Sequence, residues 1–524
     1  MRRRFLVLFV FSFSSLLAGR VEARPKREEW AAKVRAIHAA LSELQIETAE
    51  RLLTPLLQAQ PQDPELMYLA GWVDFHRGRY DAAITHVTAS LAKTKSGLMR
   101  RERGEFAKLV RETRDTVAGF RELRSEDGRF VLRHPPGIDA VLVPYAFETL
   151  RAMHHVLSEV LGMPIALPVQ LEILPDAESL ARVSTLSVED IRRTGTIALC
   201  KWNRLMITSP RALVRGYPWV DTIAHEFVHL ALSQTTHDRA PVWLQEGVAK
   251  FLERRWRGED ERFVLDPPSA SMLQRAAQSG SLMPFERLHP SIARLPSQDA
   301  AVLAFAQVAS FIDYFVRTEG LSGLRQGLKQ VAQGRDAKQA FALVADSSWD
   351  KLERSWREDV QQRANLTKTA ATPPLRRRFH PKESVYELNE GKVRRLMRLG
   401  DLLWGARRPA AASTEYGRAL NLSPEDPTVV ARYARANIAS KQPARALPLL
   451  RSALERYPDF APLHSLLGTA LLSLGRTDES RGAMHEAIRL NPFDPAPHCQ
   501  LAKIAAAPSV RRRETDACHR LQKP

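Results

Sequence analysis

Two histidines four residues apart bracket a glutamate in Ile223-Ala-His-Glu-Phe-Val-His-Leu230. On a helix, positions i and i+4 share a face, so His225 and His229 can turn imidazole nitrogens toward one point, which is metal-ligand spacing. Glu226, one residue on, is rotated by about 100° and reaches a water beside such a metal rather than the metal itself, the place of a general base. Two nitrogens do not make a catalytic centre, because tetrahedral zinc with one open position takes three protein ligands. The third candidate is Glu246, in Pro241-Val-Trp-Leu-Gln-Glu-Gly-Val-Ala-Lys-Phe251. Pro241 can open a new helix, Glu246 falls on its second turn, and a lone carboxylate among Val242, Leu244, Val248 and Phe251 needs a partner. Gly247 is a further marker: a mid-helix glycine costs about 1 kcal/mol relative to alanine and is kept where another backbone packs close, here expected to be the His225 helix. The plain alternative is a pair of satisfied core histidines and a salt-bridged helix glutamate.

The elements that must carry these residues are legible on either side. Residues 129–133 and 168–174 alternate like half-buried strands, and 196–200 and 205–208 flank a tight turn at Trp202-Asn203. Residues 146–161 have helical apolar spacing, and from Pro218 to about Gln362 nearly every pattern is helical. A small sheet followed by helices predicts an α+β domain over 127–363, with 364–388, rich in proline and arginine, as a linker.

The C-terminal third repeats itself. Arg418-Ala-Leu-Asn-Leu-Ser-Pro424, Ser452-Ala-Leu-Glu-Arg-Tyr-Pro458 and Glu486-Ala-Ile-Arg-Leu-Asn-Pro492 are one phrase at a fixed spacing, as are Gly400, Ala434 and Gly468. Small residues where two helices cross and a proline after the second helix, at a period of about 34, resemble tetratricopeptide (TPR) repeats, here over 389–507. Residues 24–126 follow the same register more loosely through Ala49, Pro61, Gly71, Tyr80 and Ala83, and 508–524 read as a basic tail. Such solenoids imply protein or peptide partners.

With Ala224-His-Glu-Phe-Val-His-Leu230, Trp243-Leu-Gln-Glu-Gly-Val-Ala249, the stretch from Gly195 to Asn203 and the Phe305 and Tyr314 region in view, the central domain resembles the gluzincin metallopeptidases. More narrowly it is similar to the peptidase MA-like group often fused to TPR repeats in secreted bacterial proteins. The resemblance implies His225, His229 and Glu246 as zinc ligands, Glu226 as base, and an edge near Thr196–Leu199 on which an extended peptide substrate lies. Two positions depart from the pattern. Phe305 stands where relatives commonly have a tyrosine, leaving His237, Tyr217 and Tyr314 as candidate oxyanion donors. Lys250 stands where many gluzincins have an acid that holds a ligand histidine, leaving Asp221 as the candidate for that role.

At 524 residues with 44% hydrophobic content the chain is long enough for several packed units. Arg2-Arg3-Arg4, the apolar run 5–18 and Val21-Glu-Ala23 read as a secretory signal peptide over 1–23, which implies a secreted or periplasmic protein with no transmembrane segment in the mature chain. The formal charge of +18 falls to about +15 without that leader, yet the clusters at 376–378 and 511–513 lack interleaved aromatics, so nucleic acid is not the expected partner. Of three cysteines, Cys499 and Cys518 can pair across the C-terminal end, and Cys200 reads as a small buried hydrophobe. The leading expectation is a zinc-dependent metallopeptidase with TPR arms. The alternative is a TPR interaction scaffold whose metal site is structural or catalytically weakened.

Overall fold

The computed structural model describes residues 23–162, 165–258, 263–288, 291–366, 372, 375, 377–379 and 391–522. The leader up to residue 22 and most of the 364–388 linker lie outside the described residues. Among the described residues five helices come first: Ala23–Ser42, Ile46–Ala59, Pro64–His76, Tyr80–Lys93 and Gly97–Val117. Asp63 starts the third by accepting from the backbone N–H groups of Glu65 and Leu66, just before Pro64 in the first turn. Gly71 lies where that helix crosses the next, with the Ala83 carbonyl and Val87 3.4 Å from where its Cβ would be.

The sheet has five strands: β1 (Arg121–Arg124), β2 (Phe130–His134), β3 (Val169–Leu174), β4 (Ala198–Lys201) and β5 (Arg204–Thr208), in the order β1-β2-β3-β5-β4. β2, β3 and β5 run parallel, while β1 and β4 are antiparallel additions at the two edges. The mixed sheet matches the strands expected from sequence and adds β1, whose four residues, Arg-Glu-Leu-Arg, are all exposed and show no apolar alternation. Leu132, Leu171 and Leu205 align across the three parallel strands and are fully buried. Against the sheet pack the helices Val143–Leu161 and Trp219–Thr236, the latter through Ile223, Phe227 and Leu230. Each such side chain contributes about 1.5–3 kcal/mol by leaving water.

The Glu246 helix is Val242–Leu252, and behind it runs the long helix Gln298–Ala332, bent where Gly320 leaves helical geometry (φ 72°, ψ 174°). Gly247 is explained by that long helix rather than by the expected His225 helix: a Cβ there would sit 2.9 Å from the Val308 carbonyl oxygen and 2.8 Å from Ile312 Cγ1. The long helix is the one described helix with the length and apolarity to cross a membrane, and half of its most apolar window is buried inside the protein.

Eight helices close the chain: Gly391–Gly405, Pro409–Leu422, Pro427–Ala439, Pro443–Arg456, Ala461–Ser473, Thr477–Leu490, Pro495–Ile504 and Pro508–Gln522. Two residues after the proline that ends the first and third copies of the phrase, Asp426 and Asp494 cap the helices opened by Pro427 and Pro495. Gly468 leaves room for Met484, whose Cε would lie 2.5 Å from an added Cβ. Residues 508–522, read from sequence as a tail, form a helix tied back by the Cys499–Cys518 disulfide. Their charged composition is tail-like, yet Glu514 and Ala517 are buried. Met484, Ile488 and Leu501 of the repeats belong to the same apolar core as the sheet and its helices.

Candidate metal centre

The helix Trp219–Thr236 presents His225 and His229 on one face, and the helix Val242–Leu252, packed against it, brings Glu246 to them. The two Nε2 atoms are 3.1 Å apart. Glu246 Oε2 lies 3.3 Å from His225 Nε2 and 3.2 Å from His229 Nε2. Three donors at the corners of a tetrahedron around zinc, each about 2.0–2.1 Å from it, are separated by about 3.3 Å, so the residues fit the ion in donor type and spacing. His225, Glu226 and His229 place ligand-type atoms within 4.8 Å of one another, and Glu226 is buried beside the two rings.

The far nitrogens are held as well. His225 Nδ1 faces Glu253 Oε2 at 3.0 Å, and His229 Nδ1 faces Gln245 Oε1 at 3.2 Å. Gln245 in turn donates through its amide nitrogen to Ser233 Oγ at 3.2 Å, which fixes its carbonyl toward the histidine. With Nδ1 of each ring committed to an acceptor, Nε2 is the atom left to face a metal. Lys250, at the position where an acid was sought, pairs with Glu253 at 2.5 Å instead. The holding acid therefore comes two turns after Glu246 rather than one. Asp221, the candidate from sequence, accepts from Trp256 Nε1 at 3.0 Å and pairs with Arg257, so it braces the loop after the Glu246 helix.

The electrostatics favour a cation at this point. Burial pulls the His225 imidazole down, but Glu246 and Glu253 on its two sides outweigh burial and hold its pKa up to about 10. His229 is raised too, burial being overcome by the charge of Glu246 and its hydrogen bond. Burial pushes Glu246 up, and the two imidazoles more than reverse it, leaving the carboxylate well below its usual range. Burial likewise raises Glu253 until Lys250 and His225 bring it to about 2. Glu226 alone among the site's acids is raised, because burial exceeds the pull of the two histidines. Carboxylates that favour protons on buried imidazoles favour a metal cation in their place.

The remaining sequence candidates fall out differently. The Phe305 ring packs 6.2 Å from the His225 ring and brings no hydroxyl. Tyr217 is buried and its hydroxyl donates to the Thr208 carbonyl. His237 caps the far end of its helix with φ 53°, about 12 Å beyond His229, and its Nδ1 lies 3.4 Å from Gln45 Nε2. Tyr314 is about 13 Å along its helix from Phe305 and lies under the Arg317 guanidinium at 5.6 Å. Gln245 and Glu253 are site residues that sequence reasoning missed. Glu253 could have been sought at i+7 from Glu246, on the same helical face.

Comparison with known proteins agrees with this layout. The sequence model of the Peptidase MA superfamily matches residues 152–362, and tetratricopeptide repeat models match 34–97, 397–459 and 437–504. No curated protein matches the chain significantly. Among solved structures, a thermophilic TPR protein of Thermus thermophilus is 23% identical, with 25% of this chain and 72% of that chain covered and a TM-score of 0.23. MamA (41-end) from Desulfovibrio magneticus RS-1 is 22% identical, with 25% and 78% covered and a TM-score of 0.23. The TPR2AB domain of yeast Sti1, solved as a pHSP90 complex, is 12% identical, with 58% and 93% covered and a TM-score of 0.19. The chain thus carries a Peptidase MA superfamily domain flanked on both sides by tetratricopeptide repeats.

Proposed function

We propose that the protein is a zinc-dependent metallopeptidase of gluzincin type, with His225, His229 and Glu246 as ligands and Glu226 as general base. The observation that carries this reading is the triangle of His225 Nε2, His229 Nε2 and Glu246 Oε2, with sides of 3.1–3.3 Å and the outer nitrogens tied to Glu253 and Gln245. The Peptidase MA match over 152–362, a superfamily generally associated with zinc, supports it. Zinc held there supplies Lewis acidity toward a scissile carbonyl and its attacking water.

The protein's own groups do the rest. Glu226, with its pKa raised by burial, accepts a proton from the attacking water at its carboxylate and delivers it to the departing amine. Glu253 and Gln245 hold the imidazoles in register, and β4 offers an edge to an extended peptide. The repeats suit protein or peptide binding. The leader at 1–23 and the Cys499–Cys518 disulfide together support export to an oxidising compartment.

Phe305 favours a second reading. It sets an apolar ring beside His225 without an oxyanion donor, as a TPR scaffold with a catalytically weakened metal site would have. Elemental analysis of purified protein alongside His225→Ala, Glu246→Ala and Glu226→Gln separates the two. The peptidase reading expects about one zinc per chain, lost in the first two variants, and peptide-library turnover that falls by about 10²–10⁴ in Glu226→Gln while zinc is kept. Zinc without Glu226-dependent turnover would establish the scaffold, and no zinc after reconstitution would overturn both.

A further inference from the structure

β4 is the outer strand of the sheet, and no described strand pairs with its free edge. It packs against the helix that carries His225 and His229, and Cys200, read from sequence as a buried hydrophobe, is only partly buried. A peptide added to that edge would run alongside the helix that carries the ligand candidates. The β4–β5 hairpin ends in Trp202 and Asn203, both left-handed at φ 53° and 59°. A tryptophan rarely adopts that conformation unless its surroundings hold it there.

What holds it is the N-terminal repeat. The Trp202 ring meets Phe75 edge-on at 5.5 Å and joins the apolar cluster of Tyr68, Phe75, Tyr80 and Phe106. Arg204, at the start of β5 and 1% exposed, lays its guanidinium over Phe75 at 4.8 Å and Trp202 at 5.5 Å, and pairs with Glu172 at 3.2 Å. Its Nη1 also donates to the Tyr80 hydroxyl at 2.5 Å. Gln234 of the helix that carries His225 and His229 donates to Asn203 Oδ1 at 2.9 Å. The hairpin tip is thus clasped between a repeat and the far half of the helix that carries His225 and His229.

We propose that Trp202 and Asn203 are positioning residues, and that the N-terminal repeat pair engages the chain's own hairpin to fix the β4 edge beside the helix that carries His225 and His229. The repeat is then a working part of the central domain. The structural claim stands without catalysis; its kinetic consequence rests on the peptidase reading above.

The test is amide hydrogen exchange of β4 relative to β3 in the full-length zinc-loaded protein, comparing wild type, Trp202→Ala and Trp202→Phe. The expected result is exchange of Ala198–Lys201 faster by about tenfold in Trp202→Ala, with β3 and zinc content unchanged, and recovery to within about threefold in Trp202→Phe. With a cleaved peptide in hand, KM should rise about tenfold while kcat stays within about threefold. Unchanged β4 exchange overturns the proposal, as does acceleration shared equally by β3, which would mark Trp202 as general core. Should Trp202→Ala not fold, Asn203→Gly keeps the left-handed backbone, loses only the Gln234 bond, and is read by the same ratio. If no peptide is cleaved, the exchange ratio still decides the positioning claim while the peptidase reading fails alone.

Discussion

Glu226 and Glu246 are the same side chain put to opposite uses by their neighbours. Glu246 points between two imidazoles and is driven below the usual carboxylate range, whereas Glu226 is buried where the imidazoles offset burial only in part. That His225, Glu226, His229 and Glu246 come together was legible because helix geometry joins i to i+4 and a proline marks where the second helix begins. Glu253 was not read, since no motif marks it and only its seven-residue spacing from Glu246 puts it on the same helical face, 3.0 Å from His225 Nδ1. Its role leads to a prediction at this scale. Glu253→Gln keeps an acceptor for His225 Nδ1 but removes the charge and leaves Lys250 unpaired. Zinc affinity, measured by competition with a chromophoric chelator, should fall about tenfold, and Glu253→Ala should lower it by up to about a hundredfold. Equal affinity in all three proteins would show that Glu253 serves Lys250 and not the metal.

Among the elements, the strands with an apolar row were readable and the strand without one was not. β3 is buried along its whole length and β5 likewise, while β1 presents four exposed residues and exists only because β2 offers it backbone partners. Gly247 shows a different limit. Its type announced a close approach, but sequence could not say that the neighbour is a helix starting at Gln298, and the expected one was the His225 helix. The contact gives a sharp test, because Val308 contributes a backbone carbonyl that cannot rotate away. Gly247→Ala should cost about 1–3 kcal/mol through overpacking, in spite of alanine's better helix propensity, and should move Glu246 off its ligand position. Urea unfolding with parallel zinc determination measures both. A variant as stable as wild type with full zinc would mean that the long helix yields at no cost.

At the scale of the whole molecule, the repeats were legible because a period writes itself several times over. Their docking was not, because complementarity between unlike surfaces leaves no pattern in either. Trp219 Nε1, for instance, donates to the Ile488 carbonyl at 3.1 Å across 269 residues. The last helix is the extreme case, charged enough to read as a tail yet anchored by Cys499–Cys518 and by a buried group in which Tyr145 donates to Glu514 at 2.8 Å and His498 lies 2.6 Å from it. The disulfide closes a loop of 19 residues, so replacing both cysteines with serine should cost about 3 kcal/mol. Burial raises the Glu514 carboxyl, but His498, Arg513 and Tyr145 together bring it below its ordinary 4.5. A carboxylate lowered in the folded state lends its stability above the unfolded pKa and withdraws it as pH falls through the folded one. In the disulfide-free protein, Glu514→Gln should therefore lower the urea midpoint, read by near-ultraviolet circular dichroism, at pH 7. The gap between the two proteins should close as pH falls from about 5 to about 3. A gap that stays constant over that window would mean the helix is held by its disulfide and apolar contacts alone, with Glu514 a passenger in the interface.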